Sequence, residues 1–152
     1  MTYFNRKVAT PLLAFLQQGM SPDKLAMTVA FGVMWGTFPI IGTNTLICIA
    51  TAFVFKLNQA AIQVVNYAAY PLQLVLMLPF IKLGFWLTGS DSSAYELDGI
   101  WEVIQEDRWK AFQTLGEIVW MAMAGWTMFA LVAFFGLWFS LRLVFAKMAR
   151  GE

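Results

Sequence analysis

Charged residues are absent from three long stretches of the chain, which cover residues 25–55, 57–81 and 118–141. An α-helix rises 1.5 Å per residue, so the second and third stretches would each be about 36 Å long. A hydrocarbon layer is roughly 30 Å thick, so both are long enough to cross it with some tilt. The pattern therefore predicts an all-α integral membrane protein, with residues 1–152 forming a single membrane domain.

The first stretch is too long for one crossing and is interrupted at its middle. Residues 38–42 (FPIIG) divide it into two arms of thirteen residues, and each arm would be only about 20 Å long. Pro39 also removes a backbone hydrogen-bond donor near the centre. Lys24 and Lys56 flank the two ends, as expected if both ends lie on the same side of the membrane. We therefore predict a broken, re-entrant helical hairpin over residues 25–55, whose freed backbone groups need protein or a water-filled cavity around them.

The rest of the chain divides into four further segments. Residues 1–20 place apolar side chains on one helical face, which is typical of a helix at the membrane interface. Residues 57–81 contain two prolines and predict a kinked span. Residues 90–117 carry seven acidic residues and predict an acidic amphipathic segment outside the membrane, and residues 118–141 predict the C-terminal span. The hinge positions predicted from glycine and proline are Gly32, Gly36, Pro39, Gly42, Pro71 and Pro79. Gly32 and Gly36 also form a small-xxx-small pair, which favours close approach of another helix.

Basic residues near both ends of the chain determine the predicted topology. Arg6 and Lys7 lie near the start, and Arg142, Lys147 and Arg150 follow the last span. Because lysine and arginine favour the cytoplasmic side, both termini are predicted to be cytoplasmic and the acidic segment to be outside. Two crossings satisfy this arrangement if the hairpin enters the membrane and returns.

The composition excludes several classes of function. The formal net charge is +1, and no basic patch is interleaved with aromatic residues, so we expect no nucleic-acid partner. Histidine is absent and Cys48 is the only cysteine. This leaves neither a usual metal or haem ligand set nor the usual proton carrier of catalysis. We therefore expect no enzymatic activity, no metal and no cofactor.

Five polar residues of the second stretch share one helical face, because their spacings are four, three, four and three. This polar stripe extends over about 21 Å, and amides that faced lipid would be costly. One interpretation is the wall of a polar pocket open to the cytoplasm, with Lys56 one turn before it. The other is hydrogen bonding between helices or between copies of the chain, worth ~0.6 kcal/mol per bond. The five residues are Gln59, Gln63, Asn66, Tyr70 and Gln73.

Polar residues also lie at the predicted tip of the hairpin, where Thr43, Asn44 and Thr45 begin the second arm. The N-terminus of a helix has unpaired amides and a partial positive charge, which in transporters faces anionic substrate groups. The same side chains are also suited to capping the arm. The two interpretations are compatible, and the sequence leaves both open.

Residues 21–58 read SPDKLAMTVAFGVMWGTFPIIGTNTLICIATAFVFKLN. This segment resembles DUF2062, a family of small bacterial membrane proteins. The family typically shows a start like S-P-E-K-L-A, then A-x-G-x-x-x-G, P-x-x-G and a threonine-bearing segment that ends in R/K-L-N. The resemblance continues more loosely to about Gly89, whereas residues 90–152 show no counterpart. The family commonly has Asn-Pro where this chain has Tyr70 and Pro71. The matching positions are Ala30, Gly32, Gly36, Pro39, Gly42, Thr45, Lys56, Leu57 and Asn58.

The resemblance implies a multi-pass protein of the bacterial inner (plasma) membrane whose biochemistry is unsettled. Relatives joined to glycosyltransferase domains imply work on the cell envelope or on lipid-linked sugars. The hypothesis is a carrier of envelope lipids or lipid-linked substrates, which acts as an oligomer or with a larger membrane partner. The alternative is a non-catalytic scaffold that docks a larger envelope-biosynthesis partner. The candidate substrate-binding residues are Thr43, Asn44, Thr45, Lys56, Gln59, Gln63, Asn66, Tyr70 and Gln73.

Overall fold

The structure is a computed structural model that describes residues 20–90 and 108–150. All regular elements in these two ranges are α-helices, which confirms the all-α class for the described part of the chain. Residues 1–19, with the predicted interfacial helix, and residues 91–107, with most of the predicted acidic segment, lie outside it. The helices are α1 (Pro22–Gly36), α2 (Asn44–Phe55), α3 (Gln59–Thr88) and α4 (Arg108–Arg150).

Local side-chain and backbone signals account for where several helices begin and end. The Ser21 hydroxyl oxygen accepts a hydrogen bond from the Lys24 amide (3.3 Å) at the start of α1. The Asn58 side-chain oxygen accepts one from the Ala61 amide (3.0 Å) at the start of α3. Both are N-cap interactions, which satisfy donors that the first helical turn leaves unpaired. α3 ends at Gly89, whose left-handed backbone (φ +65°) is one that glycine adopts without strain.

α1 and α2 form an antiparallel pair whose outer ends meet. The Lys24 ammonium donates a hydrogen bond to the Lys56 carbonyl (3.3 Å), which joins the start of α1 to the end of α2. At the same end of the molecule, Asp23 pairs with Arg142 of α4 (3.3 Å) and accepts a hydrogen bond from the Trp138 indole (3.3 Å). The start of α1, the end of α2 and the C-terminal part of α4 therefore lie together. We call this the basic end, defined by Lys24, Lys56 and Arg142.

The hairpin of α1 and α2 reaches only about halfway along α3. Its tip contacts α3 where Gln73 donates a hydrogen bond to the Phe38 carbonyl. Gln73 lies about 21 Å from the start of α3, a helix of 30 residues that is about 45 Å long. Near the tip, Phe80 of α3 and Trp126 of α4 pack with Phe38 in one hydrophobic cluster. Beyond the tip, α3 therefore packs against α4 instead of α1.

Glycines allow α4 to lie very close to the far half of α3. A Cβ atom added to Gly84 would overlap the Met121 carbonyl, and one added to Gly125 would overlap the Phe80 carbonyl. At this crossing, each helix thus places one glycine against the backbone of the other. Small residues let helix backbones approach in this way, and such packing is a main source of helix association in lipid.

Gly32 and Gly36, which the sequence predicts as hinge positions, are contact points between α1 and the near half of α3. A Cβ atom added to Gly32 would lie 2.6 Å from the Val65 Cβ atom, and one added to Gly36 would lie 2.6 Å from the Ala69 Cβ atom. α1 is continuous through Gly32 and ends at Gly36. Their place in the structure is therefore close packing between helices.

The other four predicted hinge positions divide between the hairpin break and α3. Pro39 is buried and Gly42 is exposed with φ +95°, and both lie in the connection between α1 and α2. Pro71 and Pro79 lie inside α3, which is a single helix and extends beyond the predicted limit at residue 81. The interruption between α1 and α2 thus occurs where a proline and a positive-φ glycine lie close together in the sequence.

Two helices of the described part are long and apolar enough to cross a membrane, by length and composition. They are Gln59–Thr88, with mean hydropathy 1.5, and Trp109–Met148, with mean hydropathy 2.0. Only 22% and 11% of their apolar windows are buried, and outward apolar side chains suit contact with lipid. The predicted span at 118–141 lies inside α4, which already begins at Arg108. The end of the predicted acidic segment and the terminal span therefore form one helix.

Candidate functional site at the hairpin break

The break between α1 and α2 frees backbone carbonyls, and polar side chains supply donors to them. The last carbonyls of a helix have no intrahelical donor. The Thr37 hydroxyl lies 3.1 Å from the Val33 carbonyl and 3.0 Å from the Met34 carbonyl. The Trp126 indole N–H also donates to the Met34 carbonyl (3.3 Å). α4 therefore contributes directly to satisfying the end of α1.

Aromatic rings cover the same break. Trp126 stacks on Trp35 with ring centres 5.6 Å apart, and it meets Phe38 edge-on with centres 4.8 Å apart. Such aromatic contacts add about 0.5–1.5 kcal/mol beyond the burial of area. Phe38 and Trp126 are each 8% exposed. The end of α1 is therefore enclosed by rings from its own connection and from α4.

At the start of α2, two predicted tip residues bond back toward the connection. Thr43 occupies the N-cap position but makes no side-chain cap bond. Its hydroxyl donates instead to the Ile40 carbonyl (2.9 Å). Asn44 is fully buried and donates from its side-chain nitrogen to the Gly36 carbonyl (3.4 Å). The Thr43 side chain thus leaves the first amides of α2 uncapped, and this helix end keeps its partial positive charge.

Three amides of the polar stripe bond to α2 or to one another. Gln59 donates to the Ile49 carbonyl (2.9 Å), and Gln63 donates to the Thr45 carbonyl (3.0 Å). Asn66 donates to the side-chain oxygen of Gln63 (3.2 Å). This geometry corresponds to the second interpretation of the stripe, hydrogen bonding between helices. Here the bonds lie within one chain.

The two remaining members of the polar stripe differ from each other. Gln73 is 2% exposed and donates to the Phe38 carbonyl at the tip. Tyr70 is partly buried, and its ring stacks on Tyr67 with centres 5.7 Å apart. The stripe therefore consists of amides that hold the hairpin and one tyrosine beside it.

A group of polar side chains stays accessible beside the start of α2. The Thr45 hydroxyl lies 3.5 Å from the Tyr67 hydroxyl, and Tyr67 is 53% exposed. Tyr67 is not a member of the polar stripe, but the sequence places it, like Tyr70 one helical turn later, within reach of the broken helix. We call this group the tip cluster, and its members are Thr43, Thr45, Tyr67 and Tyr70.

Lys56, the remaining predicted site residue, lies at the basic end rather than at the tip. It adopts a left-handed backbone (φ 53°) at the end of α2, a helix that is about 18 Å long. Lys56 borders an open groove together with Phe53 and Gln59. The predicted site residues therefore do not form one group. Thr43, Thr45 and Tyr70 belong to the tip cluster, and Lys56 and Gln59 lie at the basic end. The other four bond within the hairpin or to it, and they are Asn44, Gln63, Asn66 and Gln73.

The chemistry available at the break is that of neutral groups. The described part of the chain brings together no three His, Cys, Asp or Glu side chains that could hold a metal ion. No Asp or Glu occurs between Lys24 and Ser90, nor at residues 118–141. Amides, hydroxyls and backbone carbonyls are what remain. Such groups interact by hydrogen bonding and coordination rather than by net charge or proton transfer.

Over residues 20–90 and 108–150, fold and site together define an all-helical chain with two helices that are long and apolar enough to cross a membrane. The chain belongs to DUF2062, a family described as an uncharacterized protein conserved in bacteria, and the match covers residues 5–151. This confirms the resemblance seen at residues 21–58 and extends it over the C-terminal half. A comparison with curated proteins found no match, and a comparison with solved structures found none either.

Proposed function

We propose that the protein is a bacterial inner-membrane carrier of lipids or lipid-linked substrates of the cell envelope. In this proposal α3 and α4 cross the bilayer, and α1 and α2 form a re-entrant hairpin whose tip lies near the middle. The contact between Lys24 and Lys56, together with the half-length reach of the hairpin, supports this arrangement. Both termini are then cytoplasmic, because more basic residues lie at the basic end than in the far half of the molecule, where Lys82 and Lys110 lie.

The tip cluster is the observation that carries the carrier function. Its Tyr67 lies about 12 Å along α3 from the basic end, a depth at which hydrocarbon would otherwise surround it. Polar groups exposed at that depth are costly unless they have a polar partner. The start of α2 adds a partial positive charge at the same place. An anionic lipid headgroup would supply both the hydrogen-bond acceptors and the negative charge.

Assembly is the second part of the proposal. The outer face of α2 is apolar and open, with Leu46 69%, Phe53 83% and Val54 69% exposed. A substrate at the tip cluster would therefore have lipid on one side. Further copies of the chain, or a larger membrane partner, would enclose it there, so we expect the carrier to act as an oligomer.

Movement of lipid between leaflets tests the carrier. The purified protein is reconstituted into vesicles that contain a fluorescent anionic phospholipid, and an external quencher reports transfer. We expect transfer faster than in protein-free vesicles, with a fall of about 10-fold, or about 1.4 kcal/mol, in a Thr45→Val, Tyr67→Phe double variant. Thr88→Ala, at the far end of α3, is the matched control and should transfer normally. Transfer no faster than in protein-free vesicles would contradict the proposal.

One observation favours the alternative of a non-catalytic scaffold. Gln59, Gln63 and Gln73 donate to carbonyls of their own chain and so hold the hairpin without a substrate. Single Gln63→Leu, Asn66→Leu and Gln73→Leu variants separate the two functions when oligomer size and lipid transfer are both measured. Intact assembly with lost transfer supports the carrier. Loss of assembly, with no transfer by the parent protein, supports a scaffold that docks an envelope-biosynthesis partner.

A further inference from the structure

Two buried amide oxygens at the hairpin break have no donor from the described part of the chain. Asn44 and Asn66 are both 0% exposed. Among the described residues, no donor lies within hydrogen-bond distance of either Oδ1 atom. Most buried polar atoms in proteins have a partner, and leaving an acceptor without one is costly. A third buried atom at the break, the Trp35 indole nitrogen, is a donor without an acceptor among the described residues. The two oxygens are thus the atoms of the break that can accept a positively polarised group.

The two side chains belong to the same junction of three helices. Asn44 donates from its nitrogen to the Gly36 carbonyl at the end of α1 (3.4 Å). A Cβ atom added to Gly36 would lie 2.8 Å from the Asn66 carbonyl oxygen and 3.3 Å from the Asn66 Cα atom. Asn66 is also linked to Thr45 of α2 through Gln63. Asn44 and Asn66 therefore flank the point where α1 ends, α2 begins and α3 passes.

The hydrogen bonds determine which amide atoms are left over. The Gln63 nitrogen faces the Thr45 carbonyl, so its oxygen is the atom that meets the Asn66 nitrogen. The Asn44 nitrogen faces the Gly36 carbonyl, and turning that amide would set two acceptors against each other. Both asparagines therefore use their nitrogen within the chain. Each keeps an oxygen for a further partner.

The chemistry of the junction narrows the choice of partner. A divalent ion would lack the carboxylates it prefers, because no Asp or Glu occurs between Lys24 and Ser90. For the same reason no carboxylate is present to carry a coupled proton. The end of α1 directs the negative end of its dipole toward the junction, and the start of α2 directs its positive end there, so neutral oxygens rather than helix charge would hold a cation. Neutral oxygens beside a helix C-terminus are the ligands that broken transporter helices offer to Na⁺.

We propose that Asn44 and Asn66 bind a sodium ion at the hairpin break. The two Oδ1 atoms are the side-chain ligands, and carbonyls at the end of α1 complete the set. Because the ligands come from α2, α3 and the end of α1, binding holds the hairpin against α3. A role of the ion in coupling transport rests on the proposed carrier function, whereas binding itself does not.

Sodium-dependent stability of the purified protein in detergent tests the site. The thermal unfolding midpoint is measured in NaCl and in choline chloride at equal ionic strength. Sodium at about 100 times its dissociation constant should raise the midpoint by on the order of 5 °C, because the ion binds the folded state. Asn44→Leu and Asn66→Leu should abolish the rise, whereas Gln59→Leu, outside the junction, should keep it. Equal midpoints of the parent protein in both salts would overturn the proposal and leave a buried water as the donor.

A further variant and a direct measurement cover the case in which the leucine variants do not fold. Asn66→Asp adds a negative charge and should lower the half-saturating concentration of radioactive Na⁺ about 10-fold. Absence of saturable binding by the parent, or an unchanged value in Asn66→Asp, would overturn the site. Neither assay needs a lipid. Lipid transfer without sodium binding would therefore contradict only the proposed ion site. Sodium binding without lipid transfer would contradict only the proposed carrier function.

Discussion

At the scale of single residues, the closest contact between helices depends on two glycines. Gly84 and Gly125 sit against backbone carbonyls of the opposite helix, where a methyl group has no room. Backbone atoms cannot move away from an added methyl group as the end of a flexible side chain can. The far half of the α3–α4 contact should therefore respond to one added methyl more strongly than to changes at exposed charges.

Gly125→Ala should destabilise the protein by about 1–3 kcal/mol, because the new methyl meets the Phe80 carbonyl and forces α3 and α4 apart. Gly136→Ala is the matched control on the same helix, since no atom lies within 4 Å of its added Cβ. That variant should be neutral or slightly stabilising, because alanine is the better helix former. Thermal unfolding in detergent measures both. Equal midpoints for the two variants would contradict the close approach.

Gln73 provides a second test at this scale. Gln73→Leu should cost about 1–3 kcal/mol, because the carbonyl of Phe38, a residue that is 8% exposed, loses its donor. Gln59→Leu removes a similar bond at the exposed basic end and should cost less, about 0.5 kcal/mol. Chemical denaturation of the two variants gives the comparison. Equal losses would show that the tip carbonyl finds another donor.

At the scale of elements, the hairpin break was predictable because its causes are local. Pro39 removes a donor, Gly42 adopts φ +95°, and Ser21 caps the helix that leads into the break. The start of α4 was not predictable in the same way. Lys110 and Glu117 suggested a boundary outside the membrane, but exposed charges do not interrupt a helix whose backbone bonds stay paired.

The candidate site was only half predictable for a related reason. The spacing of the polar stripe placed its members on one face, which follows from helix geometry alone. The acceptors, such as the Ile49 and Thr45 carbonyls, depend on how α2 folds back onto α3. Tyr67 joins the site only through its contact with Thr45. Contacts between distant segments of this kind have no local pattern.

α2 provides the prediction for this scale, because it packs on one side of the molecule against α1 and α3. Gln63→Leu removes the bond to the Thr45 carbonyl and should speed amide exchange in α2 by up to about 10-fold. The far half of α3, which packs on α4, should be unchanged and serves as the internal control. Hydrogen exchange followed by mass spectrometry in lipid nanodiscs measures both. Equal acceleration in α2 and in the far half of α3 would contradict a local role for Gln63.

At the scale of the whole molecule, Lys82 of α3 and Lys110 of α4 lie in the half away from the hairpin, and a larger group of basic residues lies at the basic end. Lys24 and Lys56 are in contact there, and Arg142 pairs with Asp23 beside them. The ion pair is largely exposed, so it contributes at most about 1 kcal/mol. The basic residues at this end matter more for the orientation of the protein in the membrane than for its stability, because basic groups favour the cytoplasmic face.

Cysteine labelling tests the orientation in a Cys48→Ala background. Lys56→Cys and Asn58→Cys should react only from the cytoplasmic side, and Ser92→Cys only from outside. Lys24→Cys should give the same result as Lys56→Cys, because the hairpin returns to the side it left. A reagent that does not cross the bilayer, applied to sealed cells and to inverted vesicles, gives the answer. Reaction at residues 24 and 56 from opposite sides would contradict both the re-entrant hairpin and the proposed carrier function.

The half-length reach of α1 and α2 has a consequence for the shape of the molecule in a bilayer. In the proposed orientation the four described helices share the leaflet nearest the cytoplasm, and of these four only α3 and α4 continue through the other. The protein is then a wedge, with a broader cross-section in one monolayer than in its opposite. Such asymmetry displaces unequal areas of lipid and would draw the protein toward curved regions of the cell surface.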